Sequence, residues 1–399
     1  MTKTFSIISL GCPRNLVDSE HIMSEFASKG YAFKENAIGV DTVVINTCAF
    51  IEDAKKESID TILKVIDAKK AGEVKRIIVA GCLPQRYRRE LQKDLKEIDE
   101  FRGVVSAFKD DYASRLTPAH YKYIKISEGC KNRCTYCIIP HLKGPYKARA
   151  IDSIIKEAEE SSAKEIILVG QDTSAYQKLA ELLKELDKIS KDKWIRLLYT
   201  HPTNLGKDAI KVIRDSRNIC KYIDLPIEHI NNRILKQMGR KTTKKDIISL
   251  IEYIRKEIPD VALRTSFIVG FPGETEQEIQ ELLQFIREIK FERLGIFRYS
   301  REEGTPAYKL KDQISEKEKE RRFSEGMLLQ QTVSREINER FKGRTLKVLV
   351  DEKDIARTEY DAPEVDGVVH VSGKDLKIGE FYKVKITDTH EYDLVGQVL

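Results

Sequence analysis

The chain has 399 residues, of which 70 are Lys or Arg and 64 are Asp or Glu, and 41% of its residues are hydrophobic. This length predicts two or three domains with packed cores, and the near-normal apolar content excludes wholesale disorder. No run of about 18 apolar residues occurs and the N-terminus lacks a signal-peptide pattern, so we expect a cytoplasmic protein without membrane association. The net charge of +6 is modest, and seven cysteines in a reducing compartment favour metal binding or catalysis over disulfides.

The first segment of the chain alternates β-branched runs with amphipathic stretches, which is typical of βα units and a parallel sheet. We predict three strands, each followed by a helix, at residues 4–12, 41–48 and 74–82. These runs end in Cys12, Cys48 and Cys82, which are 36 and 34 residues apart. Because the carboxyl ends of parallel strands share one edge of a sheet, the pattern predicts that the three thiols converge. For any one of them alone, the alternative is an ordinary buried cysteine.

The second segment repeats the alternation six times. Its candidate strands are at residues 121–130, 165–171, 194–202, 221–228, 262–272 and 293–300. Six consecutive units favour a partial (β/α)6 barrel with functional groups at the strand carboxyl ends, and a doubly wound sheet is the competing topology. A charged helix follows at 315–340, and period-two alternation after it predicts a small all-β barrel. We therefore predict an α/β protein with domains at residues 1–117, 118–333 and 334–399.

A compact cysteine motif follows the first strand of the second segment. Cys130, Cys134 and Cys137 form a C-x3-C-x2-C pattern, in which three thiolates are close enough to hold one face of an iron–sulfur cube. Three ligands leave one iron of a [4Fe–4S] cluster open to a non-protein ligand. A zinc site with His141 as the fourth ligand, or free thiols, are the alternatives. Cys220 lacks such a context, and we expect it to be an ordinary buried residue.

This loop, placed after the first strand of six βα units, resembles the radical S-adenosylmethionine superfamily. The resemblance implies that S-adenosylmethionine binds the open iron and is cleaved to a 5′-deoxyadenosyl radical. By position it assigns to S-adenosylmethionine the residues Tyr136, Gly170, Gln171, Asp172, Ile268 and Gly270. The first of these faces the adenine, the next three the amino acid portion, and the last two the adenine and ribose. Core packing and ordinary strand-end usage are the alternatives for these residue types.

The surrounding segments resemble the methylthiotransferase family over essentially the full chain, including a C-terminal module similar to the TRAM domain. The N-terminal motifs that carry this likeness are residues 9–15, 17–20, 46–48 and 81–87. The resemblance implies two [4Fe–4S] clusters, held by Cys12, Cys48 and Cys82 and by Cys130, Cys134 and Cys137. It further implies that the first cluster carries a sulfur atom that one S-adenosylmethionine methylates. A second S-adenosylmethionine then gives the radical that abstracts hydrogen from the substrate, and no further catalytic residue is assigned.

The family divides mainly between enzymes that modify tRNA and enzymes that modify a ribosomal protein. The segments similar to the latter are 9–20, 170–173, 194–202, 271–275, 299–306 and 361–367. They imply methylthiolation at the β-carbon of one aspartate on the twelfth protein of the small ribosomal subunit, with a sulfur donor and an electron donor as further partners. Residues 361–367 lie in the module expected to meet the substrate. Residues 341–399 carry a net charge of −3 and the preceding residues +9, which favours a basic protein over tRNA.

Two positions depart from the family pattern. Glu228 stands where the ribosomal-protein enzymes commonly have Gln, and we assign it no role. Ala49 follows Cys48 where Gly is usual, and the methyl group is tolerated unless the backbone φ is positive. Two other functions are the alternatives: a tRNA adenosine methylthiotransferase, and a non-enzymatic iron–sulfur or zinc-binding module.

Overall fold

In the computed structural model, which describes residues 2–105, 108 and 115–399, the chain divides into two units by its internal contacts. The first unit contains residues 1–118, 123–153 and 300–308, and the second contains residues 119–122, 154–299 and 309–399. Segments of the predicted central domain therefore occur in both units, and the three-domain division stays a prediction. Within the described ranges, no helix combines the length and apolar character needed to cross a membrane.

A five-stranded sheet forms the centre of the first unit, with the strand order β2-β1-β3-β4-β5 and parallel pairing throughout. Its strands are β1 (Thr4–Ser9), β2 (Ala32–Phe33), β3 (Val40–Thr47), β4 (Val74–Gly81) and β5 (Glu100–Phe101). Its helices are α1 (Pro13–Ser28), α2 (Glu52–Lys70) and α3 (Cys82–Asp94). Val44 joins a core with Phe26 of α1, whereas Val43 and Ile45 join a core with Ile62 of α2. Both faces of the sheet are thus buried, which confirms the predicted parallel arrangement.

The cysteine loop and its flanks complete the first unit. Strand β6 (Tyr121–Lys125) begins in the second unit and continues into the first. It is followed by β7 (Ser127–Glu128), α4 (Ile139–Lys143) and β8 (Lys147–Ala148), and β7 pairs with β8 in antiparallel fashion.

Parallel strands and flanking helices make up most of the second unit. The strands after β6 are β9 (Glu165–Val169), β10 (Trp194–Leu197), β11 (Tyr222–Asp224), β12 (Ala262–Val269) and β13 (Arg293–Arg298). The helices are α5 (Ile151–Glu160), α6 (Leu179–Ile189), α7 (Lys207–Asp215), α8 (Asn232–Gln237), α9 (Lys244–Glu257), α10 (Glu276–Ile289) and α11 (Glu316–Asn338). The strand orders are β10-β9-β6 and β11-β12-β13, and a bridge from Ile195 to Ile219 links the two sheets. The strands therefore follow chain order without the reversal of a doubly wound sheet, which confirms the predicted partial barrel.

Three of the strands end four or five residues before the predicted end: β6 at Lys125, β10 at Leu197 and β11 at Asp224. Beyond β11, an isolated bridge still joins Glu228 to Phe267 of β12. Tyr199 (φ 60°) and Glu228 (φ 72°) adopt the left-handed backbone region, which is incompatible with regular strand geometry. These residues turn the chain at the carboxyl ends of β10 and β11, where functional groups are expected.

The C-terminal residues form a closed barrel with the strand order β14-β15-β16-β18-β17, as predicted. Its strands are β14 (Thr345–Glu352), β15 (Ile355–Thr358), β16 (Val369–Ser372), β17 (Phe381–Thr389) and β18 (Leu394–Val398). Val348, Val350 and Val384 lie in its core, and all three are buried. Inward-facing apolar residues alternate with outward-facing polar ones along these strands, as the period-two pattern requires.

Residues 361–367 attach this barrel to the partial barrel of the same unit. Arg293 Nε donates to Asp361 Oδ1 at 2.8 Å, and the Tyr222 hydroxyl donates to Asp366 Oδ2 at 2.7 Å. Arg264 Nε lies 3.4 Å from Asp366 Oδ1, and both carboxylates are buried. Tyr222 and Arg293 are the first residues of their strands, so the segment lies at the amino-terminal ends of the partial barrel. The segment belongs to the module expected to meet the substrate, and its buried ion pairs show that it docks the barrel.

Candidate active site

The carboxyl edge of the first sheet brings three predicted cysteines together. Ser9 of β1 pairs with Asn46 of β3, and Asn46 pairs with Ala80 of β4, so the three strands end level with one another. Cys12, Cys48 and Cys82 follow these ends. Cys12 precedes the first residue of α1, and Cys82 is the first residue of α3. The three cysteines therefore follow the ends of neighbouring strands at one edge of the sheet, and their joint role as ligands stays a prediction.

Two glycines with left-handed backbone geometry allow this close approach. A Cβ at Gly11 (φ 88°) would lie 3.0 Å from Cys48 Sγ and 2.7 Å from its Cβ. A Cβ at Gly81 (φ 94°) would lie 2.4 Å from Asn46 Oδ1 and 2.6 Å from the Thr47 carbonyl oxygen. All four distances are shorter than ordinary van der Waals contact, so these turns require glycine.

Buried amide side chains fix the ends of β1 and β3 to α1. Asn15 Nδ2 donates to the Leu10 carbonyl at 2.6 Å, and Asn46 Nδ2 donates to the Asn15 carbonyl at 2.8 Å. Asn46 Nδ2 also donates to Ser19 Oγ, whose hydroxyl donates to Ser9 Oγ, each at 2.8 Å. Buried polar networks of this kind favour one geometry, because breaking one of their hydrogen bonds leaves a buried group without its partner.

Each cysteine of this edge has its own local support. The Cys48 amide donates to Ser58 Oγ at 3.1 Å, and that hydroxyl donates back to the Cys48 carbonyl at 2.8 Å. The Leu83 amide next to Cys82 donates to Thr47 Oγ1 at 3.2 Å. Arg14 Nε donates to Cys12 Sγ at 3.3 Å.

The electrostatic environments of the three thiols differ. Burial raises the pKa of Cys12, but Arg14 and nearby donors outweigh it and leave the pKa below its usual value. Burial raises the pKa of Cys48, and it raises the pKa of Cys82 to about 12 despite the positive charge of Lys143. In this edge the thiolate form is therefore most favoured at Cys12.

The second cysteine set lies in the loop between β7 and α4 of the same unit. Cys130, Cys134 and Cys137 are partly exposed and form no disulfide. The Cys137 amide donates to the Cys134 carbonyl at 3.1 Å, which closes a tight turn inside the motif. His141, the alternative zinc ligand, lies on α4 with its side chain exposed.

The donor chemistry of both sets fits iron–sulfur clusters. None of the six described cysteines forms a disulfide, and thiols are the ligand type that such clusters take. Among the described residues, no three His, Cys, Asp or Glu side chains are grouped closely enough to hold one metal ion. Ligands of an iron–sulfur cube bind different irons, so they stand farther apart than ligands of a single ion.

Residues 300–308 connect to both cysteine regions within the first unit. Glu302 is 2% exposed and accepts from Arg86 Nη1 at 2.7 Å, and Lys55 Nζ lies 3.1 Å from it. Arg86 also donates to the Ala49 carbonyl, next to Cys48. The Ala307 amide donates to the carbonyl of Thr135, which lies between two cysteines of the loop.

In the second unit, the predicted residues Gly170, Gln171 and Asp172 follow β9. Asp172 is buried, and its carboxylate accepts from the Ala175 amide at 3.1 Å and from Ser174 Oγ at 2.6 Å. Asn204 Nδ2 donates to its other oxygen at 2.6 Å. The carboxylate therefore holds the turn after β9.

Ile268 and Gly270 lie at the end of β12. Glu274 Oε2 accepts from the Gly270 amide and from Arg322 Nη1, each at 2.6 Å. Glu274 Oε1 lies 3.1 Å from Nε2 of the buried His229. This carboxylate fixes the loop between β12 and α10. Tyr136, the sixth residue predicted to contact S-adenosylmethionine, is partly exposed in the first unit.

Three further residues, His201, Cys220 and Ala49, have surroundings that fit a role in packing or in the backbone turns. Burial lowers the pKa of His201 to about 3, with Arg240 adding to the effect, and its Nδ1 accepts from the Thr203 amide. Cys220 is 1% exposed, as expected for an ordinary buried residue. Ala49 is absent from the residues with positive φ, so its methyl group is compatible with the turn after Cys48.

Several supporting residues escaped the sequence analysis. Asn15, Asn46 and Glu274 lie in motifs that carried the resemblance, so their motif membership was the available signal. Ser58 lies outside these motifs, and Glu302 lies in the segment 299–306, which resembled the ribosomal-protein enzymes without indicating its partner. Their roles depend on contacts across 10 and 216 residues, to Cys48 and Arg86 respectively.

Family models match three parts of the chain. Residues 124–286 match the radical SAM superfamily, residues 4–103 match the uncharacterized protein family UPF0004, and residues 343–399 match the TRAM domain. The fold is similar to that of the radical S-adenosylmethionine methyltransferase TsrM from Kitasatospora setae, with a TM-score of 0.56 and 12% identity. That similarity covers 86% of this chain and 79% of TsrM. The chain is thus a radical S-adenosylmethionine protein with two flanking modules.

Similar chains specify the class further. The ribosomal protein uS12 methylthiotransferase RimO of Clostridioides difficile is 45% identical, with 98% of each chain covered. RimO of Thermodesulfovibrio yellowstonii is 44% identical, with 100% of each chain covered. The chain therefore belongs to the RimO family of radical S-adenosylmethionine methylthiotransferases. Membership of this class implies S-adenosylmethionine and a [4Fe–4S] cluster as cofactors.

Proposed function

We propose that this enzyme methylthiolates the β-carbon of one aspartate of ribosomal protein uS12, with one [4Fe–4S] cluster at each cysteine set. The observation that carries the proposal is the convergence of Cys12, Cys48 and Cys82 at one sheet edge. They lie in the same unit as the local C-x3-C-x2-C motif. A single radical cluster explains the local motif alone, and it leaves three further free thiols at one edge without a role.

The chain's own residues would prepare both sites. Cys12, Cys48 and Cys82 would hold one cluster, with Arg14 donating to the Cys12 sulfur and Ser58 fixing the Cys48 backbone. Cys130, Cys134 and Cys137 would hold the other. When bound, the two clusters and S-adenosylmethionine supply a methylated sulfur and a radical strong enough to abstract hydrogen from an unactivated carbon.

The residues that the resemblance assigns to S-adenosylmethionine would contribute its contacts. Gly170 and Gln171 would meet its amino acid portion, while Asp172 holds the turn through its three hydrogen bonds. Ile268 and Gly270 would meet its adenine and ribose, with Tyr136 beside the adenine. Glu274 would keep the Gly270 amide in place, because the two groups are hydrogen-bonded and buried.

Identity to the uS12 enzymes, over nearly the full length, supports the substrate assignment. The net charge of residues 341–399 supports a basic protein substrate less strongly than the count of charged residues implies. Asp361 and Asp366 of the acidic C-terminal module are buried in ion pairs with arginines, so its net charge of −3 is not a surface property. The reaction also requires a sulfur donor and an electron donor as partners.

Iron counting tests the two-cluster proposal. After anaerobic reconstitution with iron and sulfide, we expect about eight irons per chain, and about four after Cys12, Cys48 and Cys82 are changed to Ala. Cys220→Ala is the matched control and should retain about eight. About four irons in the unchanged protein would refute the second cluster.

Mass spectrometry tests the substrate. In a strain lacking the gene, we expect the uS12 peptide to lose the methylthio mass and tRNA nucleosides to stay unchanged. Loss of a methylthiolated adenosine with an unchanged uS12 peptide would favour the tRNA enzyme. Absence of 5′-deoxyadenosine from the reduced protein with S-adenosylmethionine would favour a non-enzymatic module.

A further inference from the structure

Residues 300–308, here called the strap, connect the two cysteine regions of the first unit. The chain leaves the second unit at residue 299, belongs to the first unit for residues 300–308 and returns to the second unit at residue 309. Within the first unit the strap contacts α2, α3 and the loop of the second cysteine set. Each of these three segments carries or follows a predicted cluster ligand.

The Glu302 carboxylate is the buried centre of the strap. Its Oε2 lies 2.7 Å from Arg86 Nη1 and 3.1 Å from Lys55 Nζ. Ser300 Oγ donates to its other oxygen at 2.7 Å and accepts from the Glu52 amide, at the start of α2, at 3.2 Å. The carboxylate is therefore held by α2, by α3 and by the strap itself.

Arg86 connects the strap to the first cysteine set. Its Nη1 also donates to the Ala49 carbonyl at 3.0 Å, and its Nη2 donates to the Glu303 carbonyl at 2.7 Å. Ala49 directly follows Cys48, and Arg86 lies four residues after Cys82. Because the guanidinium group is planar and its donors keep a fixed geometry, these bonds hold the turn after Cys48 at a defined distance from the strap.

The other end of the strap holds the second cysteine set. The Ala307 amide donates to the Thr135 carbonyl, inside the C-x3-C-x2-C motif, at 2.9 Å. Thr305 Oγ1 donates to the Glu302 carbonyl at 2.7 Å, and the Thr305 amide donates to the same oxygen at 3.2 Å. This turn joins the Glu302 and Ala307 contacts within six residues of chain.

Apolar packing also joins the two regions. Ile138 and Leu142, which follow the second set, belong to the same core as Ala49 and Leu83. Such packing is non-directional, whereas hydrogen bonds keep their lengths and angles within narrow limits. The buried ion pair is a weak source of net stability, because its replacement by apolar residues is often neutral or stabilising. The polar contacts of the strap are therefore better suited to fixing a spacing than to adding stability.

We propose that Glu302 and Arg86 are positioning residues that set the spacing between the two cysteine sets and the clusters they hold. The inference deepens the proposed function and rests on it. Because the proposed reaction uses both sets on one substrate carbon, their spacing decides whether that carbon reaches both. A displacement of about 1 Å in such an arrangement can slow a reaction about 100-fold.

The test compares variants of the reconstituted full chain. Glu302→Ala removes the carboxylate, whereas Glu302→Gln keeps its size and one accepting oxygen. Arg86→Lys keeps the positive charge and removes the fork of donors. Glu90→Ala is the matched control, because Glu90 is an exposed glutamate on α3, the helix that carries Arg86.

Three measurements separate positioning from folding. The first is the iron content, and the second is the pair of products, 5′-deoxyadenosine and the methylthiolated uS12 peptide. The third is electron paramagnetic resonance of the chain with both clusters reduced. In that spectrum the two paramagnetic centres split or broaden each other's lines by an amount that falls as their distance grows.

We expect Glu302→Ala and Arg86→Lys to bind about eight irons and to form 5′-deoxyadenosine at the unchanged rate. Their methylthiolation should fall about 10-fold or more, and the splitting between the two clusters should change. Glu302→Gln should lie closer to the unchanged protein in both readouts, and Glu90→Ala should match the unchanged protein.

Unchanged splitting and methylthiolation in Glu302→Ala and Arg86→Lys, with about eight irons bound, would overturn the inference and leave the two-cluster proposal standing. Parallel losses of iron, cleavage and methylthiolation in both variants would also overturn it, since they would assign the pair to folding of the unit. If Glu302→Ala alone loses iron, the splitting in Arg86→Lys decides. About four irons in the unchanged protein would overturn both proposals together.

Discussion

The two cysteine sets of the first unit are built in opposite ways. Cys130, Cys134 and Cys137 lie within eight residues of chain, in one loop that contains a tight turn between Cys134 and Cys137. Cys12, Cys48 and Cys82 span 71 residues, and three strand ends bring them together. The first set therefore depends on correct pairing of β1, β3 and β4. The second set needs only its loop.

The difference shows how much supporting structure each cysteine set needs. The separated set is surrounded by two glycine turns, a buried amide network and Ser58, all of which act on the backbone beside a cysteine. The local set requires little of this support because short loops cost little entropy to close. Damage to the sheet edge should therefore affect the first set selectively.

Removing one cysteine from each set should give the largest effects and separate the two roles. We expect Cys134→Ala to reduce both S-adenosylmethionine cleavage and methylthiolation to background, because cleavage requires the local cluster. Cys48→Ala should abolish methylthiolation and preserve cleavage. The measurements are 5′-deoxyadenosine formation and the mass of the uS12 peptide, with Cys220→Ala as control. If Cys134→Ala still cleaved S-adenosylmethionine, the assignment of cleavage to the local cysteine set would be wrong.

Removing iron from the first cysteine set should lower the free energy of unfolding more than removing it from the second set. Its cysteines close loops of 36 and 34 residues, against 4 and 3 in the local set. By the chain-entropy estimate, a cross-link over the longer loops contributes about 4 kcal/mol, against about 2 kcal/mol over the shorter ones. Chelation should therefore lower the free energy of unfolding more in Cys134→Ala, which keeps the first cluster, than in Cys48→Ala. Anaerobic urea unfolding measures this, and equal losses would contradict the comparison.

Gly81→Ala should damage the first set alone. A Cβ there lies 2.4 Å from Asn46 Oδ1 at a φ of 94°, so we expect a loss of about 3 kcal/mol in unfolding free energy and of the first cluster. Gly72→Ala is the matched control: its φ is 78°, but no atom lies within 4 Å, so about 1 kcal/mol is expected. Similar losses of unfolding free energy in Gly81→Ala and Gly72→Ala would show that backbone strain, and not the close contact with Asn46, causes the damage.

Asn46→Ala should have the smallest effect of the series. It removes donors to the Asn15 carbonyl and Ser19, both buried, so we expect a loss of about 2 kcal/mol and weaker iron binding at the first set. The exposed Asn36→Ala should change stability by less than about 0.5 kcal/mol. Denaturant unfolding and the paramagnetic signal of each cluster are the measurements. Equal weakening of iron binding at both cysteine sets would contradict the expectation that Asn46 supports only the first set.

Sequence patterns succeeded where local periodicity determines the structure. The predicted helix at 315–340 is α11, which begins after Ser315, whose side chain accepts from the Glu318 amide. The patterns overextended β10 and β11, because nothing in the residue types signals the left-handed backbone at Tyr199 and Glu228. They gave no sign that residues 361–367 are buried, since the arginines that pair with this segment come from distant strands.

The sequence by itself determined the βα alternation, the two cysteine motifs and the family, because these depend on period, spacing and residue type. Only the tertiary structure decided which polar groups support each cysteine. Asn46, Ser58 and Glu302 act through contacts with segments distant in the chain. Such contacts follow from strand order and packing, which residue spacing does not encode.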